Sequence, residues 1–203
     1  MKFTKFFSHI QETPWYRTFL NPVLEEISIG DSLLDIGTGS GKLIQLVAEQ
    51  KDIKCIGVDT NEDMLIEAQK KVRNTTAQLL LIKPNDPLPL KDESFDYVTI
   101  CSVLFHLKKD SIDSILNDAL RTLKNDGKII VLTPTGNGNF LTLSKQFFSF
   151  KNYSIFIWFY ATRNRAGPWT KNKYLKQYAI KNELKYKREV VMNGFAQLEI
   201  ITK

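Results

Sequence analysis

The amino-acid sequence predicts an α/β fold in three layers: a mostly parallel sheet, helices on both of its faces, and an antiparallel pair at the end. Three observations predict it. Between residues 32 and 133, short apolar runs alternate with amphipathic helical stretches, the pattern of parallel strands joined by crossover helices. The first apolar run stops at an acid and turns through Gly37-Thr38-Gly39-Ser40-Gly41 directly into a helix. Near the end, Asn193-Gly194 separates two extended runs, the signature of a tight hairpin.

The first thirty residues read as helical. Pro14 is placed to open a second helix at Trp15, because its fixed φ and missing N–H cost nothing in a first turn. Strand one is expected over 32–36 and a helix over 41–50. The second strand ends at Asp59, and Asn61 caps a helix with Met64, Leu65, Ala68 and Val72 on one face. A third strand covers 77–82, followed by a loop with Pro84, Pro87 and Pro89. The fourth strand spans 95–101. Asp110 or Ser111 is expected to cap the next helix, whose apolar face runs from Ile112 through Leu116 to Leu123. Asn125-Asp126-Gly127 reads as a turn, 128–133 as the fifth strand, and 185–192 with 195–201 as the closing hairpin.

The glycine turn is chemically the richest segment. Its glycines let backbone approach a ligand where a side chain would collide, and the helix that follows points N–H groups at the same spot. Asp35 at the strand tip adds a fixed negative charge. Such a site suits a ligand with ammonium and hydroxyl groups better than a bare phosphate. Asp59 lies about twenty residues further on, the spacing at which an acid reaches a ribose hydroxyl pair. One carboxylate for an amine and one for a ribose together describe S-adenosylmethionine. A phosphate-binding loop is excluded, because Leu43 follows Gly41-Lys42 where Ser or Thr is needed, and Ile36 stands where its first glycine belongs. A dinucleotide fingerprint wants G-x-G-x-x-G, and the chain has G-x-G-x-G.

With 203 residues, 43% hydrophobic and 25% charged, the chain fits one domain over 1–203 with a full core. Its two cysteines, Cys55 and Cys101, fall in predicted strands, and no Cys/His cluster has metal spacing. A reducing compartment and no metal are therefore expected. Lys2 and Lys5 precede no apolar stretch, so no secretory signal is read and the expected location is cytoplasmic. The net charge of +6 is uneven. Residues 1–138 carry 16 basic and 19 acidic side chains, residues 139–203 carry 12 and 3. The basic part is a solvated face, or it attracts an acidic substrate, an anionic membrane or a nucleic acid.

Four segments resemble the class I S-adenosylmethionine-dependent methyltransferases, most of all the small-molecule group that includes the ubiquinone/menaquinone-biosynthesis enzymes. They are LLDIGTGSGKL, GVDTNEDMLIEA, LPLKDESFDYVTICSVLFHL and LKNDGKIIVLTP, in the family's order and spacing. The likeness runs from about Leu33 to Pro134. It implies a Rossmann-like seven-stranded sheet with the last strand inserted antiparallel, and S-adenosylmethionine across the tips of strands one, two and four. Carried over by position, Asp35 holds the methionine amino group, while Gly37, Thr38, Gly39 and Gly41 form a backbone wall. Asp59 binds the ribose, with Thr60 and Met64 beside the adenine, although Met64 also fits a plain core position. Asn85 or Asp86 meets the adenine amino group. Cys101 and Ser102 lie along the methionine part, or merely end their strand. The implied division is an N-terminal helical lid (1–30), a cofactor core (31–138), an aromatic and basic helical acceptor lid (139–183) and a hairpin (184–203).

Methyl transfer from a sulfonium has a neutral leaving group, so the protein's tasks are alignment and exclusion of water. A base is needed only when the nucleophile must shed a proton. His106, after the fourth strand, is the candidate base, with a structural role as the alternative. Tyr16 is the candidate hydrogen-bonding group for the acceptor, and Trp15, Arg17 and His9 are further lid candidates against ordinary packing. The run from Phe140 to Ala161 holds nine aromatic residues, interrupted by Lys145, Lys151 and Asn152, and basic residues follow it. It is too interrupted to span a membrane. It reads as a lid over an apolar acceptor, an interfacial anchor on an anionic membrane, or a core-packed insertion. The expected function is methylation of a small, apolar or lipid-like acceptor. An RNA or protein methyltransferase and a non-catalytic S-adenosylmethionine-binding protein are the alternatives; no recognised RNA-binding module is present, which disfavours nucleic acid.

Overall fold

The computed structural model describes residues 3–28, 31–51, 53–149 and 152–203. Two helices come first, α1 (Phe3–Gln11) and α2 (Pro14–Glu26), with Pro14 in the opening turn of α2. Then follow β1 (Ser32–Ile36), α3 (Lys42–Lys51), β2 (Lys54–Asp59), α4 (Glu62–Val72), β3 (Gln78–Leu81) and β4 (Phe95–Cys101). A single 3-10 turn (Leu104–His106) leads to α5 (Lys109–Thr122) and β5 (Leu123–Pro134). The chain ends with α6 (Phe140–Phe147), α7 (Ser154–Asn172), α8 (Tyr174–Lys181), β6 (Lys185–Val191) and β7 (Ala196–Thr202).

The seven strands lie in the order β3-β2-β1-β4-β5-β7-β6. β1 to β5 are parallel, and β7 runs antiparallel between β5 and β6. The order reverses between β1 and β4, and a crevice opens at such a point beyond the carboxyl ends of the strands. Strand alternation divides the core in two. Leu33, Cys55, Tyr97, Ile130 and Leu198 face a core shared with α2, α3 and the start of α7. Leu34, Val58, Val98, Ile129 and Ile201 face one shared with α5, α8 and the end of α7. Helix α7 contributes Ile155, Trp158 and Phe159 to the first core and Ala166 and Trp169 to the second, so it passes from one face of the sheet to the other.

Three local expectations are corrected. Asn125-Asp126-Gly127 is not a free turn but a bulge inside β5, where Leu123 pairs with Phe95 and Lys128 already pairs with Tyr97. A Cβ on Gly127 would lie 2.7 Å from Leu123 and 2.9 Å from the Asp96 carbonyl, so only glycine closes this bulge. The final hairpin turns through residues 192–195 rather than two residues, because Val191 pairs with Ala196. Phe195 leaves the strand there to bury itself against Phe147 and Phe159. Neither Asp110 nor Ser111 caps α5; Lys108 stands at that position without a side-chain bond. The Asn61 cap is present, accepting from the Met64 N–H at 3.1 Å. Phe150 and Lys151 of the aromatic run lie outside the described residues.

Candidate active site

The crevice at the strand reversal holds a cavity of about 560 Å³. Asp35, the fourth residue of β1, stands at its floor opposite Gly57 and Thr99 of the neighbouring strands. It is 2% exposed and accepts a hydrogen bond from the Thr99 hydroxyl at 2.8 Å. Burial pushes its carboxyl up to about 6, against the pull of the hydrogen bond from Thr99, and the nearby Asp59 charge adds to the rise. A buried carboxylate so raised is short of a cation.

The glycine turn forms the adjoining wall, and four of its five amides, those of Gly37, Thr38, Gly39 and Gly41, are already committed. Gly37 and Thr38 donate to the Val58 carbonyl, Gly41 to that of Thr38, and Gly39 to Asp59 Oδ2 at 2.8 Å. What the turn offers a ligand is therefore mostly bare surface rather than free N–H groups. Gly37 has φ +75, and a Cβ there would sit 2.4 Å from Val103, itself a cavity residue. Asp59 also accepts from the Asn61 N–H at 2.9 Å, which fixes its orientation and leaves a second lone pair on each oxygen facing outward. Gly41 does not line the cavity among the described residues. A Cβ there would lie 2.8 Å from that of Ala68, so this glycine serves the packing of α3 on α4.

The roof comes from α1 and α2. Phe7 and Gln11 lie over Gly39, and Tyr16 and Leu20 line the cavity beyond them. Gln11 is held by a chain of donors. Lys71 Nζ donates to Ser40 Oγ at 2.9 Å, the Ser40 hydroxyl donates to Gln11 Oε1, and Gln11 Nε2 donates to the Tyr16 oxygen at 3.2 Å. An ammonium can only donate, and Ser40 is fully buried, so its proton must go to Gln11. That turns the amide NH₂ toward Tyr16 and leaves the phenol proton for the cavity. Burial and the neighbouring Cys101 and Asp35 raise the Tyr16 hydroxyl far above its ordinary range, so it stays neutral. Glu12 locks this roof to the core through Lys42 at 2.6 Å and Lys71 at 2.8 Å.

The opposite wall is the 82–90 loop and one face of α5. Arg121 pins it by donating to the Leu88 and Leu90 carbonyls and to Asp118, while Asp118 accepts from the Leu88 N–H. Asn85, at φ +64, accepts from the Ser111 hydroxyl at 2.8 Å, so its amide NH₂ remains available beside Asp86. Thr60, Met64, Cys101 and Ser102 also line the cavity. Burial pushes the Cys101 thiol up, which keeps it protonated. Ser102, at φ +58, carries a buried hydroxyl with no protein partner.

Several expected residues are not brought here. His106 is outside the lining; its Nδ1 meets Arg165 Nη1 at 2.9 Å, and burial and that guanidinium lower its pKa. A ring nitrogen that accepts from arginine is not free to take a proton. Trp15 packs in the core and donates to Ser154 Oγ at 2.8 Å, while Arg17 and His9 are exposed away from the cavity. Among the described residues, none of 139–183 lines it, so the segment does not form the expected acceptor lid. The missed residues are instructive. Ser111, Ser114, Ile115 and Asp118 recur at helical spacing on α5, a readable stripe, whereas nothing in the sequence marks Gln11 or Phe7.

Residues 34–131 match the sequence family described as a methyltransferase domain. The chain is 35% identical over 123 residues to demethylmenaquinone methyltransferase of Lactobacillus johnsonii, covering 58% of this chain and 49% of that one. It is 32% identical over 151 residues to the ubiquinone/menaquinone biosynthesis C-methyltransferase UbiE of Rickettsia typhi, covering 69% and 58%. The chain thus spans about half the length of the curated relatives it matches. Its fold is similar to a solved SAM-dependent methyltransferase from Aquifex aeolicus, with a TM-score of 0.65 at 16% identity over 91% of both chains.

Proposed function

We propose that this chain, which belongs to the class I S-adenosylmethionine-dependent methyltransferases, transfers a methyl group to a small apolar acceptor that presents an oxygen to Tyr16. The observation that carries the reading is the pairing, around one cavity, of a cation-seeking buried Asp35 with Asp59 at the end of the next strand. The residues fit the donor. Asp35 would hold its ammonium, the outward lone pairs of Asp59 its ribose hydroxyls, and Met64 with Asn85 or Asp86 its adenine. The partnerless Ser102 hydroxyl would meet its methionine part. Bound S-adenosylmethionine supplies a sulfonium methyl and a neutral leaving group.

The chain's own contribution lies in the roof. Tyr16 cannot act as a base, because burial holds it protonated. With one lone pair of its oxygen taken by Gln11, it can donate its proton into the cavity, where it would bind an acceptor oxygen and stabilise negative charge there. An acceptor that has lost its hydroxyl proton to solvent would share that charge with the neighbouring ring carbon, which could attack the methyl and then release its own proton to water. That agrees with the names of the two relatives, which place them in quinone biosynthesis, one as a C-methyltransferase. Leu20, Ile36 and Leu43 give this end its apolar walls.

Titration calorimetry tests donor binding first. Both S-adenosylmethionine and S-adenosylhomocysteine are expected to bind, and Asp59→Ala to weaken them by about tenfold or more, the worth of hydrogen bonds to a charged group. Single-turnover transfer of labelled methyl to phenolic acceptors tests the rest. Tyr16→Phe is expected to slow transfer by about ten- to a hundredfold with donor affinity unchanged. Failure of either nucleoside to bind, or methylation of RNA or protein alone, overturns the reading.

A further inference from the structure

Residues 139–182 contain eight Lys and Arg and no Asp or Glu. None of the described cations there is in an ion pair. The same segment breaks a second rule of surfaces. A helix lying on a core buries one face and turns a polar face to water. α7 buries Ile155, Trp158 and Phe159, yet Tyr153 just before it and Ile157 and Tyr160 within it stand about half exposed on the other side. At i, i+4 and i+7 they form one outward apolar stripe. α6 extends the stripe. Phe140 meets Phe156 with ring centroids 5.2 Å apart, Leu141 is 76% exposed and Phe148 84%. At the far end, the Arg163 guanidinium lies 5.8 Å from the Tyr160 ring centroid, a cation flanking the apolar surface.

We propose that the α6–α7 lobe docks on an anionic lipid surface. Leu141, Phe148, Ile157 and Tyr160 would enter the interface, and Lys145 and Arg163 would meet headgroup phosphates. Bulky apolar side chains flanked by Lys145 and Arg163, with no acid in residues 139–182, are complementary to a layer that is anionic outside and hydrocarbon within. A nucleic acid shares the charge but not the rest. Leu141 and Ile157 have no ring on which a base could stack. No helix among the described residues is long and apolar enough to cross a membrane, so the contact is a surface one. His106 and Arg165 join α7 to the turn just before the cavity residue Leu107, which brings the later part of that helix next to the cavity rim.

Vesicle flotation of the full chain tests this, using phosphatidylglycerol mixed with phosphatidylcholine against phosphatidylcholine alone. The chain should float with the anionic vesicles, weaken as salt rises and remain partly bound through its apolar stripe. Leu141→Glu with Phe148→Glu changes two exposed side chains and should cut partition by at least about tenfold, with thermal midpoint and donor affinity unchanged. Lys145→Gln with Arg163→Gln should cost about fivefold per charge at low salt. Absence of flotation, or flotation unaltered by the Leu141/Phe148 pair, overturns the proposal. Binding of polyuridylate without binding of vesicles overturns it in favour of a nucleic-acid face. Donor calorimetry on the same preparations reports separately on the methyltransferase reading.

Discussion

Asp35 is a buried carboxylate that costs the ligand-free protein stability once it ionises. Its carboxyl, ordinarily near 3.8, is pushed up to about 6, so the native state holds the proton more tightly than the unfolded chain. Stability of the ligand-free protein should therefore fall as pH rises from about 4 to about 6. Asp35→Asn cannot ionise and should remove that slope, gaining roughly 2 to 3 kcal/mol at neutral pH while losing donor affinity. Urea midpoints across that range check the sign. Donor affinity of the native chain should rise over the same interval, since an ammonium prefers the charged form. The glycines separate in the same way. Gly37→Ala strains a positive φ and strikes Val103, which should cost about 1 to 3 kcal/mol and damage the donor site as well. Gly41→Ala should cost a similar amount through Ala68, and donor affinity in the folded fraction should survive. At this scale the sequence was readable where chemistry and turn geometry coincide, at Asp35 and Asp59. It was not readable at Gly41, whose reason is a helix contact between distant segments.

Among the elements, α1 is tied to the core by Ile10 and by polar contacts. Glu12 reaches Lys42 and Lys71, and those lysines together hold its carboxyl below its usual range despite partial burial. Glu12→Gln should cost the whole protein no more than about 1 kcal/mol, because Glu12 is nearly half exposed. Its effect should appear locally: faster amide exchange in α1 with unchanged protection in β1, β4 and β5, read by hydrogen-exchange mass spectrometry. Periodicity recovered the strands well. β1 and β4 begin and end where their short apolar runs placed them. The hairpin turn was misread because Asn193-Gly194 follows local propensity, whereas burial of Phe195 decides the loop. For 139–183 the sequence left an acceptor lid, an interfacial anchor and a core-packed insertion open, and none of its described residues lines the cavity. Aromatic content cannot tell an inward face from an outward one when both faces of a helix are apolar.

For the molecule as a whole, the fold and one end of the candidate site were legible because β1 and β2 follow one another in sequence and pair in parallel, which brings Asp35 and Asp59 to one cavity. The acceptor end was not, since it is assembled from Phe7, Gln11, Tyr16 and Leu20 laid over a turn some thirty residues away. The molecule also puts its charge to one side, the mildly acidic part enclosing the cavity and the basic part bearing the outward apolar stripe. The position of α1 has a kinetic corollary. On the proposed function, Phe7 and Gln11 would overlie the bound nucleoside beside Gly39, and a spent nucleoside would depart once that helix swings away, after the methylated product. Turnover should then be sequential and ordered, donor first on and its demethylated remnant last off. Initial-rate studies should show that remnant competing with the donor alone, and loosening α1 at Glu12 should hasten its escape.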